Sequence, residues 1–296
     1  MHRLGVSLLE LGRSSKTHRI CDGPNVVDAE SVRVTLSMTA AERAALREIA
    51  KARGMTVSGL IQQWIDERCD GAPAVADPRV GVNVRQRMDG LVMLGRLGSE
   101  VAAAAFFDPQ YRGLLDKLDY GNEGARQIGR ASLDQMDDEM IGAFVRELSR
   151  VVCRSGYVFL WVDKFYLVEG VARWFDGTDL KSVDLITWDK GRLGMGWRTR
   201  HQAEYVVVLQ REPLHAASTW RDHTIPDVWQ EKVSKSHPHS KPIRLQERLI
   251  RAVTQPGELV VDPAAGGYSV LEACVRCERN FCGCDIEFGE EDGDER

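Results

Sequence analysis

Two apolar segments that each end in an acidic residue and a turn constrain the fold of this chain most. One spans residues 106–111 (FFDPQY) and the other spans residues 260–267 (VVDPAAGG). Each is typical of a buried strand whose last residue leads into a tight turn. Ligands of α/β sheets bind outside the carboxyl ends of the strands, so both turns are predicted to lie where such a sheet binds its ligands.

From about Val82 the chain alternates between strand and helix patterns, which predicts an α/β sheet. The predicted strands are 102–108, 156–163, 183–189, 204–209, 258–262 and 280–285, and the predicted helices are 136–152, 244–253 and 268–277. The main domain is expected over residues 83–287.

The amino-terminal third shows a different pattern. Residues 1–31 lack firm periodicity and are predicted to be a poorly ordered extension, whereas residues 32–37 (VRVTLS) alternate as in a half-buried strand. Thr39 and Glu42 have the spacing of a capping box, so a helix is expected to begin there and to end at Gly54. A second helix is expected from about Ser58, and residues 70–82 are predicted to form a linker.

Strand, helix and helix within residues 32–69 resemble a ribbon–helix–helix DNA-binding module. The resemblance implies a possible homodimer, in which two chains pair their strands into one ribbon. Arg33, Thr35 and Ser37 would then point from the polar face of that ribbon into a major groove. The alternative is an ordinary strand–helix–helix cap on the larger domain.

Charge is unevenly distributed along the chain. The formal net charge is −5, yet residues 188–251 hold 12 Lys and Arg against 7 Asp and Glu, an excess of +5. Basic charge therefore lies where a DNA-facing segment would be needed, and residues 288–296 are predicted to form a solvated acidic tail. Seven unevenly placed cysteines favour a reducing cytoplasm, and neither a membrane span nor a signal peptide is expected.

The turn at residues 108–111 resembles the catalytic turn of the DNA amino-methyltransferases, and the resemblance implies that it holds the amino group of a base. The Asp108 carboxylate and the Pro109 carbonyl supply two acceptors, and Tyr111 can lie flat on a base. Extruding a base costs a few kcal/mol, and stacking on an aromatic ring returns about 1–3 kcal/mol, so Tyr111 could hold a flipped base. Read alone, the same residues could be a β-turn that merely ends a strand.

The two turns and their order resemble the DNA amino-methyltransferases of the beta-type permutation, in which the catalytic motif precedes the cofactor motif. The family forms are Asp-Pro-Pro-Tyr, from which Gln110 departs, and Asp-Pro-Phe-x-Gly-Ser-Gly, from which Ala264 and Tyr268 depart. Tyr268 could pack on the cofactor instead. Residues 237–242 (HPHSKP) resemble the family's His-Pro-x-x-Lys-Pro element, and residues 184–205 resemble its pocket wall.

This resemblance implies a Rossmann-like α/β methyltransferase fold with permuted motif order, S-adenosylmethionine as cofactor, and double-stranded DNA as substrate. Asp108 favours adenine-N6 as the target. The transfer would be direct, without a metal or a covalent enzyme intermediate. The expected catalytic residues are Asp108, Pro109, Gln110 and Tyr111; the expected cofactor residues are Asp262, Pro263, Ala264, Gly266, Asp285 and Lys241.

Residues 213–235 lie where the family places its target-recognition region. The residues expected to contact DNA outside the amino-terminal module are Arg198, Arg200, Arg221 and Lys232. For Trp220 and Trp229, buried packing is an alternative to a role at the duplex. Residues 274–284 contain four cysteines, for which small buried side chains explain the pattern better than zinc.

Three other functions remain open. One is a cytosine-N4 methyltransferase, and another is an RNA methyltransferase. The third is a non-catalytic DNA-binding regulator that carries a decayed methyltransferase body. Whichever function holds, the expected location of the protein is the cytoplasm, in association with the nucleoid.

Overall fold

A computed structural model describes residues 7–8, 36–37, 40–53, 56–58, 77, 79–110, 135–194, 198–233 and 241–291. The chain divides into two compact units, Met1–Gly71 and Ala72–Arg296. The division falls inside the linker predicted over residues 70–82.

The first unit contains two short strands and a helix. Strands β1 (Ser7–Leu8) and β2 (Leu36–Ser37) pair antiparallel, and helix α1 spans Ala40–Ala52 with Leu46 and Ala50 buried. The structure differs from the prediction in that residues 7–8 of the supposed extension form a strand, with which β2 pairs. The pairing of β2 with a second chain stays a prediction. Arg33 and Thr35 lie outside the described residues, and only the backbone of Ser37 is described.

The second unit is built on a mixed sheet. Its strands within the described residues are β3 (Gln86–Arg87), β4 (Ala102–Phe107), β5 (Val152–Val162), β6 (Leu180–Asp189), β7 (Ala203–Arg211), β8 (Val228–Gln230), β9 (Leu259–Asp262), β10 (Asn280–Asp285) and β11 (Glu290–Glu291). The strand order is β11-β3-β10-β9-β4-β5-β7-β6-β8. Neighbours run parallel except that β7 is antiparallel to both β5 and β6.

Helices connect the strands. They are α2 (Gly90–Arg96), α3 (Asp138–Val151), α4 (Lys164–Glu169), α5 (Ala172–Phe175), α6 (Ala216–Thr219), α7 (Ile243–Val253) and α8 (Ser269–Cys277). Asp89, Asp137 and Asp163 begin α2, α3 and α4, because each carboxylate accepts hydrogen bonds from first-turn amides that have no partner within the helix. Among the described helices, none is both long and apolar enough to cross a membrane.

Apolar clusters cover both faces of the sheet. Strand β4 contributes to both: Phe107 stacks on Phe144 of α3 at 5.0 Å, while Phe106 packs on Phe159 of β5 at 4.8 Å on the other face. A parallel strand that is covered on both sides needs a continuous apolar sequence, which is what residues 102–107 supply. The Rossmann-like α/β fold is thereby confirmed.

The sheet is wider than predicted. Short strands β3 and β11 extend it beyond β10, and β11 lies within the stretch predicted to be a solvated acidic tail. Strand β5 also begins earlier than expected, at Val152, because α3 runs directly into it. The acidic stretch therefore begins as part of the sheet.

Candidate active site

The two predicted turns lie next to each other although 153 residues separate Asp108 from Asp262 (262 − 108 − 1). Strands β4 and β9 are parallel neighbours, with Ala105 opposite Val261. Their carboxyl ends therefore meet at one edge of the sheet, where β10 ends in Asp285. We call this side of the sheet the carboxyl edge. Asp108, Asp262 and Asp285 thus lie together at the carboxyl ends of three neighbouring strands. This is where α/β sheets bind their ligands.

Lys241 contacts the Asp108 carboxylate directly. Its ammonium lies 2.8 Å from one Asp108 oxygen, 2.9 Å from a Glu204 oxygen, and 4.8 Å from the centre of the Trp161 ring. Glu204 belongs to the start of β7, which reaches the same edge because β7 runs antiparallel. Two carboxylates and an aromatic face thus surround one nearly buried ammonium.

The position of Lys241 is set by the helix that follows it. Helix α7 starts two residues later, and the Glu231 carboxylate accepts hydrogen bonds from the first-turn amides of Arg244 and Leu245 at 3.1 Å each. This carboxylate comes from the loop after β8 and replaces the side-chain cap that Pro242 cannot provide. The cap fixes the start of α7, and with it Lys241, against the carboxyl edge.

Glu204 joins the Asp108 pair to a second lysine. Its other oxygen pairs with the Lys190 ammonium, which lies 5.3 Å from the centre of the Trp188 ring. Burial alone would raise the pKa of Glu204, but the two ammonium groups outweigh it and lower this pKa to about 2. Burial opposes the protonation of Lys241, yet Asp108 and Glu204 together raise its pKa.

The remaining two carboxylates of the edge differ from each other. Burial raises the pKa of Asp262 to about 8, helped by the negative charges of Asp108 and Asp285. One Asp262 oxygen accepts a hydrogen bond from the Ala264 amide at 3.2 Å. Asp285 is half-buried and accepts the Gly266 amide at 3.0 Å through one oxygen. Burial also raises the pKa of Asp108, an effect that the Lys241 charge opposes.

The glycine turn has an open side. Gly266 adopts φ +49°, in the left-handed region that favours glycine, and no atom outside the adjoining residues lies within 4 Å of where a β-carbon would stand. The close backbone approach predicted for this residue is therefore available to a ligand.

Tyr268 does not face that open side. It replaces the family's last glycine in a left-handed conformation, with φ +58°, and its side chain is buried. Its hydroxyl group donates to the carbonyls of Gln86 at 2.7 Å and Phe288 at 2.9 Å. The possibility that Tyr268 packs on the cofactor is wrong: the ring fills the core and ties β3 to the segment before β11.

The turn after β4 is described only in part. Pro109 is buried, and the Gln110 carbonyl accepts the Met136 amide at 2.7 Å, which anchors the chain where it returns to α3. Tyr111 and the predicted element at residues 237–240 lie outside the described residues. The stacking role of Tyr111 stays a prediction.

The four residues predicted to contact DNA from the second unit separate into two places. Arg200 donates to the Gly194 carbonyl at 2.6 Å, and the Lys232 side chain lies against Gly191, beside Lys190 and the carboxyl edge. Arg198 is exposed in the same loop.

Arg221 lies elsewhere. It donates to the carbonyls of Ala252 and Thr254, at the end of α7 and shortly before β9 begins, which is the opposite edge of the sheet. Arg221 therefore lies away from Asp108, and its contact with DNA is a prediction that these hydrogen bonds do not support.

Trp220 and Trp229 are packed. Trp220 meets Tyr157 edge to face at 5.5 Å, and the indole N–H of Trp229 donates to Glu231 at 2.7 Å. The four cysteines of residues 274–284 are buried and free, and no group of three potential metal ligands occurs in the described part of the chain.

Comparison with known proteins identifies this arrangement. A family model described as DNA methylase, of the N6/N4 type, matches residues 105–292. The Type II methyltransferase M.HhaII of Haemophilus parahaemolyticus is 53% identical over 217 residues, which cover 72% of this chain and 95% of that protein. The chain belongs to the N6/N4 DNA methylase family. The Type II methyltransferase M2.MboI of Moraxella bovis is 22% identical over 207 residues, covering 62% of this chain and 75% of that protein.

Solved structures share the fold. The PvuII DNA methyltransferase, described as cytosine-N4-specific, has a TM-score of 0.54 and 16% identity over 69% of this chain and 81% of that one. M1.HpyAVI in complex with S-adenosylmethionine has a TM-score of 0.50 and 17% identity over 69% of this chain and 93% of that one. This chain therefore shares its fold with DNA methyltransferases, one of which was solved in complex with S-adenosylmethionine.

The protein is an S-adenosylmethionine-dependent DNA amino-methyltransferase, and DNA is its substrate. The carboxyl edge fits this cofactor. Its ribose hydroxyl groups and its ammonium need acceptors. Asp262 and Asp285 supply carboxyl oxygens at the Gly266 turn, where they accept the amides of Ala264 and Gly266.

Two residues of the site were not assigned from the sequence. Glu204 and Lys190 lie in the stretch expected to form the pocket wall, yet no role was given to either. Their importance depends on β6 and β7 being paired, because pairing places the end of one strand beside the start of the other. The continuous apolar run of residues 205–209 predicts the strand but does not show which strand it pairs with.

Proposed function

We propose that this methylase transfers a methyl group to the N6 atom of adenine in double-stranded DNA, after the base has been turned out of the duplex. The observation that carries the proposal is the Asp108 carboxylate, which follows β4 and is held by Lys241 at 2.8 Å. Many cytosine enzymes of the family have a serine at this position of the motif, so a carboxylate here supports adenine over cytosine as the target.

The main task of the protein in this reaction is to position the amino group of the base relative to the methyl donor. S-adenosylmethionine supplies a methyl group on a positively charged sulfur. The Asp108 carboxylate and the Pro109 carbonyl would accept the two amino hydrogens and so turn the nitrogen lone pair toward the methyl carbon. As the new N–C bond forms, the old C–S bond breaks and the nitrogen becomes positively charged. Asp108, whose pKa is raised by burial, would then take the released proton.

The cofactor residues are proposed from the same edge. Asp285 and Asp262 would receive the ribose and the cationic groups, and Gly266 would give room for close backbone approach. Pro263 and Ala264 shape the turn between them. Lys241 differs from the expectation, because its ammonium is committed to Asp108 and Glu204 rather than directed at a free space.

DNA would approach the carboxyl edge over the loop that carries Arg198, Arg200 and Lys232. Cations there can neutralise phosphates without reading sequence. Tyr111 would stack on the extruded base, and the amino-terminal unit would add contacts through Arg33, Thr35 and Ser37, as a homodimer or alone. The cytoplasm, at the nucleoid, is the proposed place of action.

The test is transfer of a labelled methyl group from S-adenosylmethionine to unmethylated duplex DNA, with the modified nucleoside identified by mass. We expect N6-methyladenine from the wild-type protein and a loss of at least about a hundredfold from Asp108→Ala. Asp176→Asn removes an exposed carboxylate and serves as the matched control, with activity unchanged. N4-methylcytosine as the product would refute the adenine assignment, and an unimpaired Asp108→Ala would refute the role of Asp108.

A further inference from the structure

The ion pairs behind Asp108 form an alternating chain of charges. Asp108, Lys241, Glu204 and Lys190 follow one another as carboxylate, ammonium, carboxylate and ammonium, joined by contacts of 2.8 Å, 2.9 Å and a third short one. Their side chains are only 14–32% exposed, so solvent screens them weakly. A chain this well paired at a catalytic edge needs an explanation beyond stability.

We propose that Glu204 is a positioning residue, which holds the Lys241 ammonium against Asp108. The charge of Glu204 is itself partly neutralised by Lys190. The inference rests on the proposed role of Asp108 and concerns how that carboxylate is kept oriented and ionised. Glu204 does not touch the reacting atoms in this arrangement; it acts through Lys241.

The geometry explains why one carboxylate would not suffice. An ammonium donates three hydrogen bonds, and with Asp108 as sole partner it could rotate around that carboxylate or leave it. The second contact, to Glu204, and the face of Trp161 at 4.8 Å restrict Lys241 to one direction. One Asp108 oxygen is thereby occupied, and within the described part of the chain the other oxygen is the one that we assign to the amino group.

Lys190 determines how strongly Glu204 competes with Asp108 for the Lys241 ammonium. Without it, Glu204 would carry a full uncompensated charge and attract Lys241 away from Asp108. With it, Glu204 is neutralised from the far side, so Lys241 can serve both carboxylates at nearly equal distances. The charged groups that act on Asp108 are thus Lys241, Glu204 and Lys190, while Asp262 faces it from β9.

Opposite charge changes should therefore have opposite effects on Asp108. Glu204→Gln removes a negative charge and leaves Lys241 to Asp108 alone, so Asp108 should hold its proton less well. Lys190→Met should make Asp108 hold its proton more strongly. Lys190→Arg keeps the charge and is the matched control. Each shift should be about one pH unit, as for a charge near a carboxylate.

Two measurements on the full-length protein test this. The first is the pH dependence of kcat for methyl transfer to duplex DNA, whose acid limb should move down in Glu204→Gln and up in Lys190→Met. The second is carbon-13 NMR of the labelled Asp108 carboxyl group, assigned by its loss in Asp108→Asn, which reports the same shifts without turnover. We also expect kcat to fall about tenfold in both variants, with the KM values for DNA and cofactor within about twofold of wild type.

The outcomes separate this inference from the function on which it rests. An active Asp108→Ala protein would remove the proposed role of Asp108 itself. If Asp108 is required but Glu204→Gln and Lys190→Met shift its titration in the same direction, or not at all, the positioning role of Glu204 is refuted. If Glu204→Gln does not fold, judged by its thermal transition, the comparison of Lys190→Met with Lys190→Arg decides alone.

Discussion

The buried carboxyl group of Asp262 should make the protein less stable as the pH rises from about 5 to 8. Its pKa rises from 3.8 to about 8 on folding, because burial disfavours the ionised form. Between those values the unfolded chain has lost the proton and the folded protein still holds it. Unfolding therefore releases a proton, and the free energy of unfolding falls by about 1.4 kcal/mol per pH unit.

Asp262→Asn should remove this dependence. Asparagine resembles the protonated acid and can still accept the Ala264 amide, so the two proteins should be about equally stable near pH 5. Over three pH units the wild type should lose about 4 kcal/mol relative to the variant, a large fraction of the total stability of a domain. Glu204 does not interfere, because its lowered pKa makes its contribution vary only below about pH 5.

The assay is urea unfolding followed by tryptophan fluorescence at pH 5, 6, 7 and 8. The quantity of interest is the difference in free energy between the wild type and Asp262→Asn, since groups common to both cancel. Asp176→Asn, an exposed carboxylate, should run parallel to the wild type at every pH. Parallel curves for Asp262→Asn as well would refute the reasoning, because they would show that Asp262 is ionised in the folded protein.

Three further predictions follow from the described contacts. Lys241→Met leaves two part-buried carboxylates without their shared cation and should cost about 3–5 kcal/mol, measured by urea unfolding. Tyr268→Phe loses both bonds to backbone carbonyls and should cost about 1–3 kcal/mol in the same measurement, with kcat unchanged, since the hydroxyl group lies in the core. Arg200→Ala and Lys232→Ala should each weaken DNA binding and lower its salt slope by about 1, whereas Arg221→Ala should change neither; fluorescence anisotropy at several salt concentrations checks this.

The central strands could be predicted because their sequences show that they are buried on both faces. Residues 102–107 and 259–261 are continuously apolar, which is typical of a strand covered on both faces, and an acidic residue with a turn follows soon after each run. Predicted and observed strands there agree within a residue or so at each end. Strands β3 and β11 could not be found this way, because two residues carry no period and pair only through the backbone.

The site was predictable where its residues are adjacent in sequence and not where they meet by pairing. Asp108 and Pro109 come from one turn, so their chemistry can be read together. The contact of Lys241 with Asp108 joins positions 133 residues apart (241 − 108), and that with Glu204 also depends on the antiparallel direction of β7. The position of Arg221 could not be predicted for a related reason, because local composition does not reveal which edge of the sheet a loop reaches.

The order of the two motifs in the chain matters less than the order of the strands in the sheet. Strands β4 and β9 are parallel neighbours, so their carboxyl ends must lie at one edge whichever strand is made first. A permutation that moves the cofactor turn to the end of the chain therefore leaves it beside Asp108. Permutation changes the segments that connect the strands. In this chain the segment that leads to α7 and β9 brings Lys241 to the same edge. The residue that holds the proposed catalytic carboxylate, Asp108, is thus supplied by the segment that leads into α7 and β9. One ion pair therefore joins the turn after β4 to the second half of the proposed site.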